Sequence, residues 1–466
     1  MPFMETVQAN IANATTSVTS SNLANAVFAT EHSYYSERLR PYASIDELNA
    51  DDAIPKTSVA YAALSNAFGQ PGAVTPIYLG RRLADVSTFT PVVANSETYS
   101  LQVECIDTTT NTQVRIDEVS FTSDTDATAE EISAGMVAAF GSLPTPPEAS
   151  NYAVVDTTGA FTIIAAADRE VNITKITKLL DTYTSSETAA ELLAEIQQEN
   201  NEDWYWMTAS DHTETFVLAM ATAIGATESS NYKKQYRTSY AGLDTLVALP
   251  DPAVDVLGKL KQGEYIRAHG EWHNLADSVF PELAAVVYNS QFPAGAETWK
   301  FMTNLTTPEI RHPLTNKRLS SKEWGYIADR NASFASKERG VTFMHGGMSA
   351  KGTSNWVDAT RGADWLTDAI EVTLLNTLLN AAAIGQPLTM TASKKAIVKE
   401  RIETKLLEGV NRGFLRGFDP VVVPDTISFE DQVARILDNV SFTAYLAAKV
   451  HFILVNGVLT YKEGEV

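Results

Sequence analysis

Residues 204–226 read WYWMTASDHTETFVLAMATAIGA. The first part, WYWMTAS, is an aromatic and apolar run with the composition of a strand, and DHTETFVLAMATAIGA repeats its apolar residues at helical spacing. Asp211 and Glu214 stand three apart at the junction, the spacing of a capping box. Upstream, SSETAAELLAEIQQE (185–199) predicts a helix, and downstream KQYRTSYA (234–241) predicts a strand. The same alternation opens the chain's folded part. In AYAALSNAFGQPGAVTPIYLGRR (60–82), a helix through Ala60, Leu64 and Phe68 feeds the strand TPIYLGRR. Helices alternating with strands predict a sheet with helices packed on it.

Residues 85–175 have a different texture. ETYSLQVECID and TQVRIDEVSF alternate as strands do, and TAEEISAGMVAAFGS is a helix with Thr128 as N-cap and Glu131 three residues on. After the break LPTPPE come two more strands, NYAVVD and AFTIIAAA, completing a βαβ-like inserted acidic domain. Residues 1–31 are rich in Asn, Ala, Ser and Thr and predict an extended arm. Further helices are expected at 277–290, 320–330, 361–383 and 392–412. At the C-terminus, VHFILV and VLTYK flank Asn456 and Gly457, the strongest short hairpin signal. The predicted fold is therefore mixed α/β (α+β) and multidomain: an arm at 1–31, core domains from 32–84 and 176–440, an inserted β-rich domain at 85–175, and a hairpin and arm at 441–466.

At 466 residues the chain has room for about three domains, and its 44% hydrophobic content suits a packed core. The formal charge of −22, from 57 acidic and 35 basic side chains, would repel nucleic acid and anionic membranes. Residues 1–200 carry net −17 and residues 201–466 net −5, so the second part is better able to pack against other protein. Cys105 is the single cysteine, which excludes an internal disulfide and a cysteine-based metal cluster. No Lys or Arg precedes Arg38 and no apolar run approaches about 18 residues, so neither a secretory signal nor membrane insertion is expected. The expected compartment is the cytoplasm.

Candidate chemistry is sparse. His269 and His273 in HGEWH are four apart, but Gly270 stands where the zinc-protease motif has Glu. Gly270 and Trp272 favour a strand, which would set the two side chains about 13 Å apart, too far for one metal. HGGMSAKGTSN (345–355) holds Gly346, Gly347, Gly352 and Lys351 without the order of a phosphate-binding loop, and is expected to be a surface turn. There is no G-x-S-x-G elbow, and Cys105 falls in a predicted strand. The carboxylate pairs Asp51/Asp52, Asp124/Asp126 and Glu130/Glu131 fall in loops or helix starts, where solvation and capping account for them. No enzyme, cofactor or metal site is predicted. The competing enzyme reading, a metal-dependent hydrolase at His269 and His273, lacks a third ligand.

Over residues 20–85 and 200–466 the sequence resembles tail sheath proteins of contractile bacteriophages. The likeness is carried by AYAALSNAFGQPGAVTPIYLGRR, WYWMTASD with its helix, RGVTFMHGGMS leading to NWVDATRGADWLTDAIEVTLLNTLL, and FTAYLAAKVHFILVNGVL. The resemblance implies a sheath-type core and a structural subunit of the virion tail, assembled in the host cytoplasm. Six copies would form a ring, rings would stack helically around a tail tube, and contraction would drive the tube through the host envelope during genome delivery. Implied partners are further copies of the chain, the tail tube protein, and baseplate and tail terminator proteins. A sheath from a phage-derived injection device, such as a tailocin or secretion-type system, is the alternative. Sheath arms pair with a neighbour's sheet, which marks Val18, Val27, Phe28, His451, Phe452, Leu454, Val458, Leu459 and Tyr461 as strand-exchange candidates. The implied tube contact is the helix SFEDQVARILD, capped by Ser428, with Glu430, Asp431 and Arg435 as contact residues.

Overall fold

The computed structural model describes residues 21–230, 232–352 and 355–453. They divide into two compact units, one of residues 22–360 and one of residues 361–453 together with Ser21. Residues 361–440 thus share a unit with residues 441–453.

The larger unit is built on β1 (Ala26–His32), whose run AVFAT is buried on both faces. Such a continuous apolar strand suits the middle of a parallel sheet covered on both sides. β2 (Leu39–Tyr42) is followed by α1 (Ile45–Ala50), α2 (Val59–Phe68) and β3 (Ile77–Leu83). Ser58 caps α2 by accepting a hydrogen bond from the Tyr61 N–H, and α2 buries Ala60, Ala63, Leu64 and Ala67. β3 runs parallel to β1, and Gly80 lets the layers close. A Cβ there would stand 2.8 Å from Val27 Cγ1 and 3.1 Å from Ile196 Cδ1.

The inserted domain follows, with β4 (Val86–Pro91), β5 (Thr98–Asp107), β6 (Thr112–Thr122), α3 (Ala129–Gly141), β7 (Tyr152–Asp156), β8 (Phe161–Ala165), β9 (Arg169–Thr177) and β10 (Leu179–Thr184). The strands form two sheets, ordered β10-β4-β8-β7 and β6-β5-β9. Every pairing within them is antiparallel, so the βαβ-like expectation is corrected. Short turns join β5 to β6 and β7 to β8, and α3 is not a crossover between parallel strands. Phe89, Leu101, Val103, Ile132, Met136 and Phe161 belong to a core of the domain's own. Thr128 and Glu131 form the predicted capping box. β10 pairs with the entering strand β4, which carries the insert past residue 175 to Thr184.

The chain re-enters the main sheet through α4 (Ala189–Glu199), β11 (Trp206–Ala209), α5 (Glu214–Ala226), β12 (Gln235–Tyr240), α6 (Val256–Gln262) and β13 (Ala268–Trp272). The six strands lie in the order β13-β12-β11-β1-β3-β2, parallel except for edge strand β2. Val27 and Ala29 face a core with Leu192, Ile196, Val217 and Met220 from α4 and α5. Ala26 and Phe28 face the opposite core with Ala63 and Leu64 of α2. α7 (Ala276–Val279), α8 (Pro281–Asn289), α9 (Ser321–Ala328) and the hairpin β14 (Phe334–Glu338)–β15 (Val341–His345) complete the unit. The capping pair expected at the start of α5 is not formed. Thr213 is the N-cap without a side-chain cap bond, and Asp211 accepts from the Thr213 N–H while its other oxygen pairs with Arg82. The partly buried Arg82 guanidinium claims the carboxylate that the spacing assigned to the helix.

The smaller unit contains most of α10 (Val357–Ala383), then α11 (Ala392–Asn411), β16 (Leu415–Phe418), α12 (Phe429–Ala434) and β17 (Ala444–Leu446). β16 and β17 pair antiparallel. Leu366, Ile402, Leu406, Phe414, Leu415 and Val421 form its core. Gly362 admits the Phe414 ring onto the helix, since a Cβ there would overlap it. Among the described residues, no helix is long and apolar enough to cross a membrane.

Candidate assembly surfaces

Exposed large apolar side chains mark interaction surfaces when they cluster. They concentrate in the smaller unit. Leu375, Leu378, Leu379 and Ile384 are exposed along and just beyond the second half of α10. On α12 and the turn after it, Phe429, Val433 and Ile436 are exposed at positions i, i+4 and i+7, Phe429 at 79%. No residue of α12 is buried. The sequence reading singled out the charges of this segment and missed its apolar stripe, although the spacing is legible in FEDQVARI.

The helix expected over SFEDQVARILD is shorter in the structure, ending at Ala434, so that Glu430 and Asp431 lie in it and Arg435 just beyond it. Ser428 caps α12, its hydroxyl accepting from the Asp431 N–H at 3.0 Å, and Glu430 and Asp431 lie in the first turn. Arg435 ends the helix in a left-handed conformation with its side chain exposed.

The strand-exchange candidates separate into three groups. Val27 and Phe28 lie in β1, paired on one edge with β3 and on the other with β11. Their backbone hydrogen bonds are spent within the chain and both side chains are fully buried, which removes them from any exchange. The polar composition of the preceding residues concealed the short apolar strand at the end of the predicted arm. His451 and Phe452 lie in a segment without strand structure, whereas the strand in this region is β17, which pairs with β16. Val18, Leu454, Val458, Leu459 and Tyr461, and the predicted Asn456–Gly457 turn, lie outside the described residues. Ser21 bonds to α10: its N–H lies 3.1 Å from both carboxylate oxygens of Asp368, and its hydroxyl donates to the same side chain at 2.6 Å.

HGEWH forms β13 and its continuation, as its glycine and tryptophan predicted. His269 Nε2 lies 2.6 Å from Gln235 Oε1, and burial pushes the ring down to about 3, so it is neutral. His273 Nε2 lies 3.0 Å from the Pro308 carbonyl, and its Nδ1 accepts from the Leu275 N–H at 3.0 Å. Between them, Glu271 holds buried Arg237 at 2.8 Å. Among the described residues no group of three His, Cys, Asp or Glu is placed to hold a metal ion. The glycine-rich loop is a correction: Ser349 and Ala350 are buried, the Ala350 N–H donates to the Ala268 carbonyl, and Met348 bridges Trp356. The segment satisfies the start of the β13 edge through Ala350, and Ser333 pairs with the rest of it.

The backbone is similar to that of a chain in the contracted helical sheath of the anti-feeding prophage, with a TM-score of 0.54 and 9% identity over 99% of this chain and 100% of that one. A chain of the same prophage's baseplate gives a TM-score of 0.52 and 10% identity over 99% of each. The chain has the sheath-protein fold. A sheath tail protein from Listeria innocua is also similar, with a TM-score of 0.49 and 8% identity over 92% of this chain and 97% of that one. No protein-family model and no curated protein matches the sequence. With about one residue in ten identical, the sheath fold here is held by burial pattern and topology.

Proposed function

We propose that this chain is a structural sheath subunit, assembling as stacked hexameric rings around a tail tube and contracting to drive the tube through a host envelope during genome delivery. The observation that carries the reading is the likeness to the prophage sheath chain along 99% of this chain and all of that one. The apolar surface of the smaller unit suits a protein whose stability as an assembly comes from neighbours. In this reading the partners are further copies of the chain, the tube protein, and baseplate and terminator proteins, and the location is a virion tail built in the host cytoplasm. No catalysis or cofactor is required.

The segment before Asn22 and the segment from His451 onward, with Val18, Phe452, Leu454, Val458, Leu459 and Tyr461, are proposed as arms that pair with neighbouring copies. Backbone pairing would keep subunits linked while their globular parts rotate. α12 is the proposed tube contact, through Glu430, Asp431 and Arg435 and the stripe of Phe429, Val433 and Ile436.

A second reading, a sheath of a phage-derived injection device, is favoured by the prophage source of the neighbours with the higher TM-scores. Negative-stain electron microscopy of the concentrated protein, alone and with its tube protein, tests the common part. Six-fold rings or hollow tubes are expected, and compact monomers under both conditions would overturn it. Particles purified with the sheath should carry a filled capsid in the first reading and none in the second.

A further inference from the structure

In the main sheet β3 lies on one side of β1 and β11 on the other, so the strand order reverses between β1 and β11. Open α/β sheets bind ligands in the crevice at the carboxyl ends of such strands. A cavity of about 230 Å³ opens at this point. Its floor holds Thr30 and Glu31 from the end of β1, Ser210 just after β11, and Phe280 between α7 and α8. Its opposite wall is Asp181 and Tyr183 of β10, so the inserted domain closes a crevice of the main sheet.

The charges around this cavity do not balance. Glu31 pairs with Arg82, but Arg82 is shared with Asp211 at 2.7 Å. Asp277, at the rim, lies 2.7 Å from His212 Nδ1, but His212 also faces Glu282 at 3.2 Å. Asp181 has no cation among the described residues. Its Oδ2 accepts from the Tyr34 hydroxyl at 2.6 Å and from the Tyr183 hydroxyl at 2.9 Å. Burial above all pushes both phenols well above their usual range, so both remain neutral donors. Three carboxylates, Glu31, Asp181 and Asp277, thus line the cavity, and no Arg, Lys or His is among its lining residues. The walls are also aromatic, with Tyr34, Tyr183 and Phe280 contributing to them. The space far exceeds one bare ion, given about 30 Å³ for a single water. Carboxylates combined with aromatic faces and hydroxyls suit an alkylammonium group, which takes charge-assisted hydrogen bonds at its head and apolar contact along its stem.

We infer that the crevice between β1, β11 and β10 binds a primary alkylammonium, with Asp181 as its principal counter-ion. Two sources share this chemistry: a free diamine, and a lysine side chain of a second copy of the chain. Bound there, the ammonium would tie the inserted domain's strand to the main sheet.

The test is calorimetric titration of the full chain with 1,4-diaminobutane at matched ionic strength, with 1-butanol as the uncharged control. Saturable diamine binding, absent for butanol and weakened at least tenfold in Asp181→Asn, supports a free amine. Self-association in sedimentation that diamine reverses and Asp181→Asn abolishes supports the lysine source. Val59, 46% exposed, also lines the cavity, and Val59→Lys places a tethered ammonium beside it. That variant should block diamine binding or self-association, and it decides the matter where Asp181→Asn does not fold. Neither saturable binding nor diamine-reversible association in the parent chain, or Val59→Lys behaving as the parent does, would overturn the inference.

Discussion

Arg330 and Asp255 form a salt bridge in which both side chains are fully buried. The guanidinium Nε lies 2.9 Å from each carboxylate oxygen, and a second nitrogen lies 2.8 Å from Oδ2. Asp255 also caps α6 by accepting from the Gly258 N–H at 2.8 Å, and Arg330 donates to the carbonyls of Asp244, Val247 and Tyr326. The pair therefore joins a helix start to the chain following α9. Removing one partner strands the other charge without water. Asp255→Ala should destabilise the larger unit by about 3–5 kcal/mol. Chemical denaturation followed by tryptophan fluorescence reads this, and a loss below about 1 kcal/mol would show that the cavity relaxes enough to hydrate Arg330.

His212 predicts a pH dependence. Burial disfavours its charge, but Glu282 and Asp277 outweigh burial and raise it from 6.5 to about 10. A base raised on folding contributes stability that is fully present below its unfolded value and is lost as pH rises through the folded value. The contribution should fade between about pH 6.5 and pH 10. Lys234, pushed down to about 7 by burial, acts in the opposite sense, since folding gains stability as pH rises toward its unfolded value. The readout is therefore the difference in thermal midpoint between the parent chain and His212→Gln, which should shrink from pH 7 to pH 10. A constant difference would mean that His212 is not charged in the folded protein.

Gly80→Ala should be costly despite its small size. The new methyl would meet Val27 Cγ1 and Ile196 Cδ1 where β3 crosses under α4. Overpacking of this kind costs about 1–3 kcal/mol. The midpoint of urea unfolding should fall with an unchanged slope, and an unchanged midpoint would show that Ile196 can rotate away.

The apolar stripe of α12 predicts a separation of stability from assembly. Because Phe429 and Val433 are exposed, Phe429→Ser with Val433→Ser should leave the isolated chain's stability within about 0.5 kcal/mol. Sheath formation on the tube should be lost. Arg435→Glu should weaken the same contact through charge. Wild-type decoration of tubes by both variants, seen by electron microscopy, would remove α12 from the proposed tube surface.

The alternation of helix and strand through 60–82 and 204–240, the capping box at Thr128 and the strand character of HGEWH were all legible, because each depends on residues close in the chain. The errors have a common origin. Val27 and Phe28 read as the end of a polar arm, yet β1 draws its hydrogen bonds from β3 and β11, distant in sequence. Asp211 read as a cap until Arg82 was brought beside it. The glycine-rich loop read as a surface turn because nothing local reveals that Ala350 bonds to the start of the β13 edge.

Local periodicity, composition and capping by themselves marked out segments such as α2, α3, α5 and β13. Tertiary structure alone decided which strand lies at the middle of the sheet, which carboxylates share a cation, and where the inserted domain meets the main sheet at Asp181 and Tyr183. Spacing along the chain governs a helix turn or a pleat, whereas strand order and charge balance depend on groups that only folding brings within a few ångströms of one another.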